Sequence, residues 1–585
     1  MSKRDLIVVG SALIAAVLAV FALRPGPRVP AGAPSQSDMA RAIGTDVMQN
    51  IYRGHVPGRS GEIYLVPKPH RYLAGDWDLT TLDTDAPWMN TTHPNPWNYI
   101  SKVPMIFYGP SVPQGLEVTR PVDIAGIAPS YAELLGMDDF ESDAEPLPEV
   151  FGSSAGAPPK VILTVVIDGG GWNVLEQHPT SHPTIDALRK SGTTYVNATI
   201  GSAPSITGAI HATMSTGFYP RHHGVPGNQM RDPEVRDANG DVTIDTWLQN
   251  ADPRYLELPT VSELWDEQNG NEPVVATVSY EGWHLGMIGH GGQRPGGDKD
   301  IAAIWESEPN EWWINESFYT LPEYLETTDL ATLEKYEGEL DARDGLLDGT
   351  WFGKTLEEIR QAPIRPGTTA FVKFTGDAVA DVLQKEEIGK DDITDLVWIE
   401  LKPPDFGGHL WNMLGPEQAD TLRETDRQIE RFKAILDRRV GDGNYVIAVT
   451  ADHGQQPLPE QVGGWRINTN ELVRDIEDRF GEGIVADRNS VELFLDLEMV
   501  EEQDVDLSEI ASYIGSYTIE ENIPENRPGS DRVPPARLDE RLFAGAFTTD
   551  FLESLSAEDI AALGDGEYEE GRLTESATGS SAEGP

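Results

Sequence analysis

The 585-residue sequence contains no cysteine. That excludes disulfides, thiolate metal ligands, a lipoprotein cysteine and a cysteine nucleophile. Compartment is left open, because a large domain folds without disulfides. Basic residues are scarce: 44 Lys and Arg stand against 97 Asp and Glu, a formal charge of -53. A phosphate backbone is neutralised by Lys and Arg, so nucleic acid is excluded as a structural partner. Such acidity favours solubility and resembles the surfaces of salt-adapted proteins. Histidine is missing from everything after His453.

One uninterrupted apolar run, residues 6–23, follows Lys3 and Arg4 and ends at Arg24-Pro25-Gly26-Pro27. As a helix it would be ~27 Å long, enough for a bilayer core. Residues 1–25 therefore read as a signal anchor, with a cleaved signal peptide as the alternative. Either reading predicts that the rest of the chain lies outside the cytoplasm, held at the cell membrane by the N-terminal anchor or secreted.

The apolar share, 39%, is adequate for a packed core. Residues 26–45 are rich in Pro, Gly, Ser and Ala and read as a linker. Residues 62–67 and 103–108 are strand-like, and 131–135 form a short helix stopped by Gly136. Acid, Pro, Gly and Ser mark 138–159 as an exposed linker between a first globular part, 46–137, and a main part, 160–563. Within the main part, 300–365 is rich in Trp and Glu and reads as an insertion near the site. The acidic tail 564–585 is expected to be disordered. A helix starts at Pro416, buries Leu422, Ile429, Phe432, Ile435 and Leu436, and stops before Gly441. It joins two strand-like runs, 396–401 and 445–450, so these should be parallel.

What the sequence does have is a set of apolar, β-branched runs that end at carboxylates. Residues 161–167 end at Asp168; 445–450 lead to Asp452 and His453; 396–401 lead to Asp405 and His409. Ligand sites in open α/β sheets form at the carboxyl ends of strands. Carboxylate oxygen with imidazole nitrogen suits Zn²⁺ and similar cations. Gly407 and Gly408 would let the backbone curl Asp405 and His409 toward one point. Thr207 precedes a helix-compatible stretch ending at Gly217, where a hydroxyl would meet free N–H groups. A plain helix-capping threonine is the competing reading, and His211, in the same stretch, reads as a packing residue or a support to ligands.

Four segments, VVIDGGGW, PSITGAIHATMSTGFYPRHHGVPGN, DLVWIELKPPDFGGHLWNMLGP and NYVIAVTADHG, resemble the alkaline phosphatase superfamily in family order. They are most similar to the phosphate-irrepressible alkaline phosphatases and the nucleotide pyrophosphatase/phosphodiesterases. The resemblance covers most of 160–555. It implies an α/β fold whose central, mostly parallel sheet carries helices on both faces, here with a cap-like insertion and an N-terminal membrane helix. It implies two divalent ions, zinc: one held by Asp168, Thr207, Asp452 and His453, the other by Asp405 and His409. Thr207 matches the nucleophile that becomes phosphorylated, and Asn228 a residue that contacts a phosphate oxygen.

The last ligand of that family is a histidine downstream of the DHG motif, and this chain has none there. Residues 59–73, 92–109 and 123–136 resemble the family's C-terminal end, and His93 stands where the absent histidine belongs. The chain thus resembles a circularly permuted member, with its last quarter first. A second departure concerns charge. The stretch matching the phosphate clamp of the monoesterases, 275–292, has neither Lys nor Arg. A monoester dianion would lose its strongest hydrogen bonds there, whereas a phosphodiester has less need of them; Trp283, His284 and His290 either line a pocket for its second substituent or pack the insertion. The reading is a two-zinc phosphodiesterase or nucleotide pyrophosphatase acting on a small phosphate ester through phospho-Thr207. The alternatives are an alkaline phosphomonoesterase clamped by Arg294 or Lys299, and a membrane-tethered binding protein with a vestigial site.

Overall fold

The computed structural model describes residues 28–75, 90–110, 112–150, 158–236, 242–247, 251–524 and 533–568. The apolar run 6–23 lies outside them, as does most of the tail; among the described residues no helix is long and apolar enough to cross a membrane.

Strands buried on both faces read as unbroken apolar runs, and three such runs make the centre of the molecule. They are β3 (Val161–Ile167), β8 (Asp395–Leu401) and β9 (Tyr445–Thr450), with every residue buried. β3 lies between the other two and is parallel to both. On one side the sheet continues through β5 (Val275–Tyr280), β6 (Ile301–Glu306) and β7 (Glu311–Trp313). On the other it continues through β1 (Lys102–Tyr108), β4 (Thr193–Thr199) and β2 (Leu116–Val118). The order is β7-β6-β5-β8-β3-β9-β1-β4-β2, with β6 to β9 through β5, β8 and β3 all parallel. β1 enters antiparallel to both neighbours, Ile447 opposite Tyr108 and Ile106 opposite Thr194.

Side chains alternate across the sheet. Ile162, Val166, Trp398 and Val446 belong to one apolar core, and Val161, Leu163, Val165, Ile399 and Ile447 to the other. Helices cover both faces. α1 (Ile127–Leu135) and α2 (Thr207–Thr216) belong to the first side, as does α3 (Val261–Gln268); α4 (Thr369–Lys385) and α6 (Pro416–Arg439) pack on the second. α6 buries the five predicted apolar residues, has Pro416 at its first turn and ends before Gly441. α1 is longer than predicted, but it does stop at Gly136, whose φ of 75° is left-handed. A short helix, α5 (Pro403–Leu410), follows β8.

Three expectations change. Residues 36–43 are a helix rather than a loose linker: Ser35 and Asp38 form a reciprocal cap, and Met39, Ala40 and Ile43 are buried. The described part of 138–159, though mostly exposed as expected, is anchored rather than free: Leu147 and Val150 are buried and Glu149 pairs with Arg120. The start of the supposed cap, 300–365, extends the central sheet as β6 and β7. The N-terminal part is woven into the remainder. Besides β1, Ile63–Pro67 lies between Glu492–Leu495 and Phe543–Thr548 in a four-stranded antiparallel sheet with Val485–Arg488.

Candidate metal centre

The parallel strands deliver their next residues to one buried point. β3 ends at Ile167, and Asp168 follows it. β9 ends at Thr450, two residues before Asp452 and three before His453. The hydrogen bond from Gly169 N–H to Asp452 Oδ1, 3.1 Å, joins the two strand ends. β8 runs into α5, where Asp405 and His409 sit four residues apart and therefore on one face. Gly407 and Gly408 are helical rather than curled. Their purpose is close approach: a Cβ on Gly408 would lie 2.5 Å from the Gln455 side chain, and one on Gly407 2.5 Å from Gln418. Gln455 in turn donates from Nε2 to Asp405 Oδ1 at 2.7 Å.

His93 arrives from the N-terminal part. Its segment is laid along α5 by two bonds, Asn90 N–H to the His409 carbonyl at 2.7 Å and His409 Nδ1–H to the Thr91 carbonyl at 2.7 Å. The His93 Nε2 lies 3.3 Å from Asp405 Oδ1 and 3.1 Å from the His409 Nε2. The His93 ring stacks on that of His453, centroids 3.5 Å apart. Two groups therefore stand side by side: His93, Asp405 and His409, and Asp168, Asp452 and His453, all buried.

The hydrogen bonds define what these groups can hold. His93 Nδ1 donates to the Ser205 carbonyl at 2.8 Å and His409 Nδ1 to that of Thr91, so both Nε2 atoms face Asp405 as lone pairs. Lone pairs at 3.1 Å repel unless a proton or a cation lies between them. In the other group His453 Nδ1 donates to the Gly454 carbonyl at 3.0 Å. Its Nε2, Asp168 Oδ1 and Asp452 Oδ2 are buried with no hydrogen-bond partner. Orphaned acceptors converging in this way, with carbonyls orienting the rings, are what a divalent cation completes. Burial, and then His453, push the His93 imidazolium down to about 4, which keeps the ring neutral as a ligand. Burial, reinforced by Asp452, pushes the Asp168 carboxyl up to about 6.

Three participants were not read as such in the sequence. Lys402, the first residue after β8, is buried and donates to Asp168 Oδ2 at 2.9 Å while pairing with Asp405 Oδ2 at 2.7 Å. It links the two groups. Burial opposes its charge, but Asp168, Asp405 and Glu400 hold the ammonium well above the usual lysine range. Glu400 lies in β8 itself, its Oε2 accepting from Tyr280 N–H at 3.0 Å. His284 lies between Asp168 and Glu400, 3.3 Å and 3.7 Å from their oxygens. It follows Glu281, whose φ of 59° marks a strained turn out of β5. Lys402 and Glu400 sit inside what reads as an ordinary apolar strand and its end, so the sequence pattern gave no signal for them.

Thr207 is the first residue of α2 and is buried. His211, one turn on, donates to the Thr207 carbonyl at 2.8 Å and lies 3.9 Å from Asp452 Oδ2, which sets the helix start beside the Asp452 group. Asn228 Oδ1 accepts from Gly208 N–H at 2.9 Å. A cavity of about 240 Å³ opens there, lined by Ile206, Asn228, Gln229, Asp245, Trp283 and Glu492 among others. A second, of about 180 Å³, shares Asp245 and Trp283 and adds Glu281, Glu306 and Trp313. Among the described residues, neither has a Lys or Arg in its lining. Of the three residues expected to line such a pocket, Trp283 does; His284 is at the carboxylates, and His290 is bound to Glu263 at 3.0 Å.

A family model described as type I phosphodiesterase / nucleotide pyrophosphatase matches residues 162–539. Among curated proteins, the chain is similar to alkaline phosphatase PafA of Elizabethkingia meningoseptica, 23% identical over 405 residues, or 61% of this chain and 72% of that protein. It is similar to alkaline phosphatase PhoV of Synechococcus elongatus, 24% identical over 54% of this chain and 63% of that one. It is also similar to ectonucleotide pyrophosphatase/phosphodiesterase family member 7 of Homo sapiens, 21% identical over 55% and 54%. A crystal structure of wild-type PafA covers 67% of this chain and 84% of its own, with a TM-score of 0.47 and 17% identity.

Proposed function

Because the chain belongs to the type I phosphodiesterase / nucleotide pyrophosphatase family, within the alkaline phosphatase superfamily of phosphoric ester hydrolases, we propose that it is an exported phosphodiesterase working with two zinc ions. One ion would be held by Asp168, Asp452, His453 and Thr207, the other by Asp405, His409 and His93. The observation that carries this is the facing of the His93 and His409 Nε2 lone pairs on Asp405, beside three orphaned acceptors of the other group. Bound there, divalent ions supply Lewis acidity to phosphate oxygens and offset the carboxylate charge.

The residues of the chain do the remainder. Thr207, at the first turn of α2, is the nucleophile: its oxygen bonds to phosphorus as the ester's leaving oxygen departs, and water later cleaves the phospho-threonine. The helix start offers N–H groups to the developing negative charge. Asn228 has its amide oxygen occupied by Gly208 N–H, which turns its NH₂ into the donor left for a phosphate oxygen. Lys402 keeps Asp168 and Asp405 together, a positioning role.

Preference for a diester is supported by charge. The cavity beside Asn228 is lined by Asp245 and Glu492 and, among the described residues, by no cation. The two residues that could clamp a monoester dianion are engaged elsewhere: Arg294 pairs with Glu267 at 3.0 Å, and Lys299 donates to the Glu316 carbonyl at 2.6 Å. A neutral or cationic second substituent suits the Trp283 cavity. The test is turnover of a bis-nitrophenyl phosphate against a mono-nitrophenyl phosphate. The diester should be preferred, and a large monoester preference would refute the assignment. Thr207→Ala should abolish the covalent phospho-enzyme.

We also read the chain order as a circular permutation. The support is the adjacency of segments near the two ends of the described chain: Thr45 N–H donates to the Gly564 carbonyl at 2.9 Å, and Glu567 N–H to that of Ala42 at 2.7 Å. Ends that meet in this way can be rejoined without disturbing the core.

A further inference from the structure

Away from the metal centre, three carboxylates meet that nothing in the phosphoryl chemistry uses. Asp266 is in the last turn of α3, and Asp298 and Asp300 precede β6; one oxygen of each lies within 4.8 Å of the others. Asp266 and Asp300 are 4% and 8% exposed, Asp298 faces solvent. Buried carboxylates are ordinarily satisfied by donors or by cationic partners. Here, among the described residues, no Lys, Arg or His pairs with any of the three. Lys299, between two of them in sequence, turns its ammonium to the Glu316 carbonyl, and Arg294 is on Glu267. Glu263, one turn before Asp266, is itself spoken for by Thr260 N–H and His290. The Asp266 side chain meets that of Asp298 at hydrogen-bond range, but its Oδ1 is buried and, among the described residues, has no hydrogen-bond partner. Burial, and then the Asp298 charge, push the Asp266 carboxyl up to about 7, and burial with Asp266 pushes Asp300 well above the usual range. Three carboxylates this close repel one another unless a proton or a cation lies among them.

We propose that Asp266, Asp298 and Asp300 bind a hard divalent cation, calcium by preference. The donor set is all oxygen, with no imidazole, which disfavours zinc. One carboxylate at the solvent boundary leaves room for waters, and calcium accepts such irregular, partly hydrated shells where magnesium demands an octahedron. The end of α3 also presents the negative pole of the helix. The consequence reaches the active site. The cation would tie the start of β6 to the end of α3, anchoring the far end of the 281–300 segment whose near end carries Trp283 and His284.

The experiment is equilibrium dialysis of calcium against the full chain, already loaded with zinc so that the metal centre is filled. The wild type should bind one calcium per chain, with a dissociation constant of about 10⁻⁵–10⁻³ M. Asp298→Asn, a change at an exposed side chain, should weaken binding by about tenfold or more, as expected for a lost ligand charge. Its zinc content should be unchanged. Calcium should raise the melting temperature of the wild type more than that of Asp298→Asn. No calcium bound by the zinc-loaded wild type, or equal binding and equal thermal shifts in wild type and variant, would overturn the proposal.

Discussion

A buried ammonium among carboxylates is stable only while its partners keep their charge. Lys402 touches Asp168 and Asp405 and sits near Glu400, so Lys402→Met would leave several buried acids uncompensated. Removing one side of a buried pair costs about 3–5 kcal/mol. Denaturant unfolding in chelator should show a loss of that order, and saturating zinc should return part of it; equal stability of variant and wild type without metal would contradict the linking role of Lys402. The acids and histidines of the centre are legible in the sequence because each follows a strand-like run or a D-x-x-x-H spacing. Lys402, Glu400 and His284 are not, since their burial depends on which strands are neighbours. His93 becomes legible through family resemblance alone: nothing in its local sequence distinguishes it from a loop histidine.

At the level of elements, packing against glycines decides how α5 presents Asp405 and His409. Gly408→Ala places a methyl 2.5 Å from Gln455, the residue that holds Asp405. Overpacking of that kind costs about 1–3 kcal/mol, and the variant should lose activity beyond its loss of stability, read as lower kcat/KM with the folded fraction held constant. The strand Glu492–Leu495 makes a separate prediction. Burial, eased by the Asn489 hydrogen bond, pushes the Glu492 carboxyl from its ordinary 4.5 up to about 7. The folded value lies above the unfolded one. Its contribution to stability is therefore complete below about 4.5 and is lost as pH rises through about 7. Glu492→Gln should flatten that part of the stability–pH curve, measured by thermal melts from pH 4.5 to 8; an unchanged slope would argue against a protonated Glu492. The long helix α6 and the fully buried strands were readable from periodicity. β6 and β7 were not, because Trp- and Glu-rich text is ambiguous until the sheet edge that accepts it is known.

For the whole molecule, the order of the chain and the order in space differ. β1 comes from the N-terminal part yet lies between β9 and β4, and His93 closes a group whose other members lie more than three hundred residues on. A gene rejoined in the other order, with residues 28–137 placed after residue 568, should yield a folded, active enzyme of similar melting temperature, because residues 42–45 already lie against residues 564–567. Composition alone established that the molecule is acidic, thiol-free and large enough for a packed core. The weaving of its two parts was invisible to composition, since long-range pairing leaves no local trace.

If His93 completes the second of two metal groups, its removal should cost the site one ion. Elemental analysis of purified wild type and His93→Ala, each dialysed against limiting free zinc, addresses it most directly. About two zinc ions per chain are expected in the wild type and about one in the variant, with diester hydrolysis reduced at least about a hundredfold. Equal zinc content in both proteins, with activity retained, would contradict it.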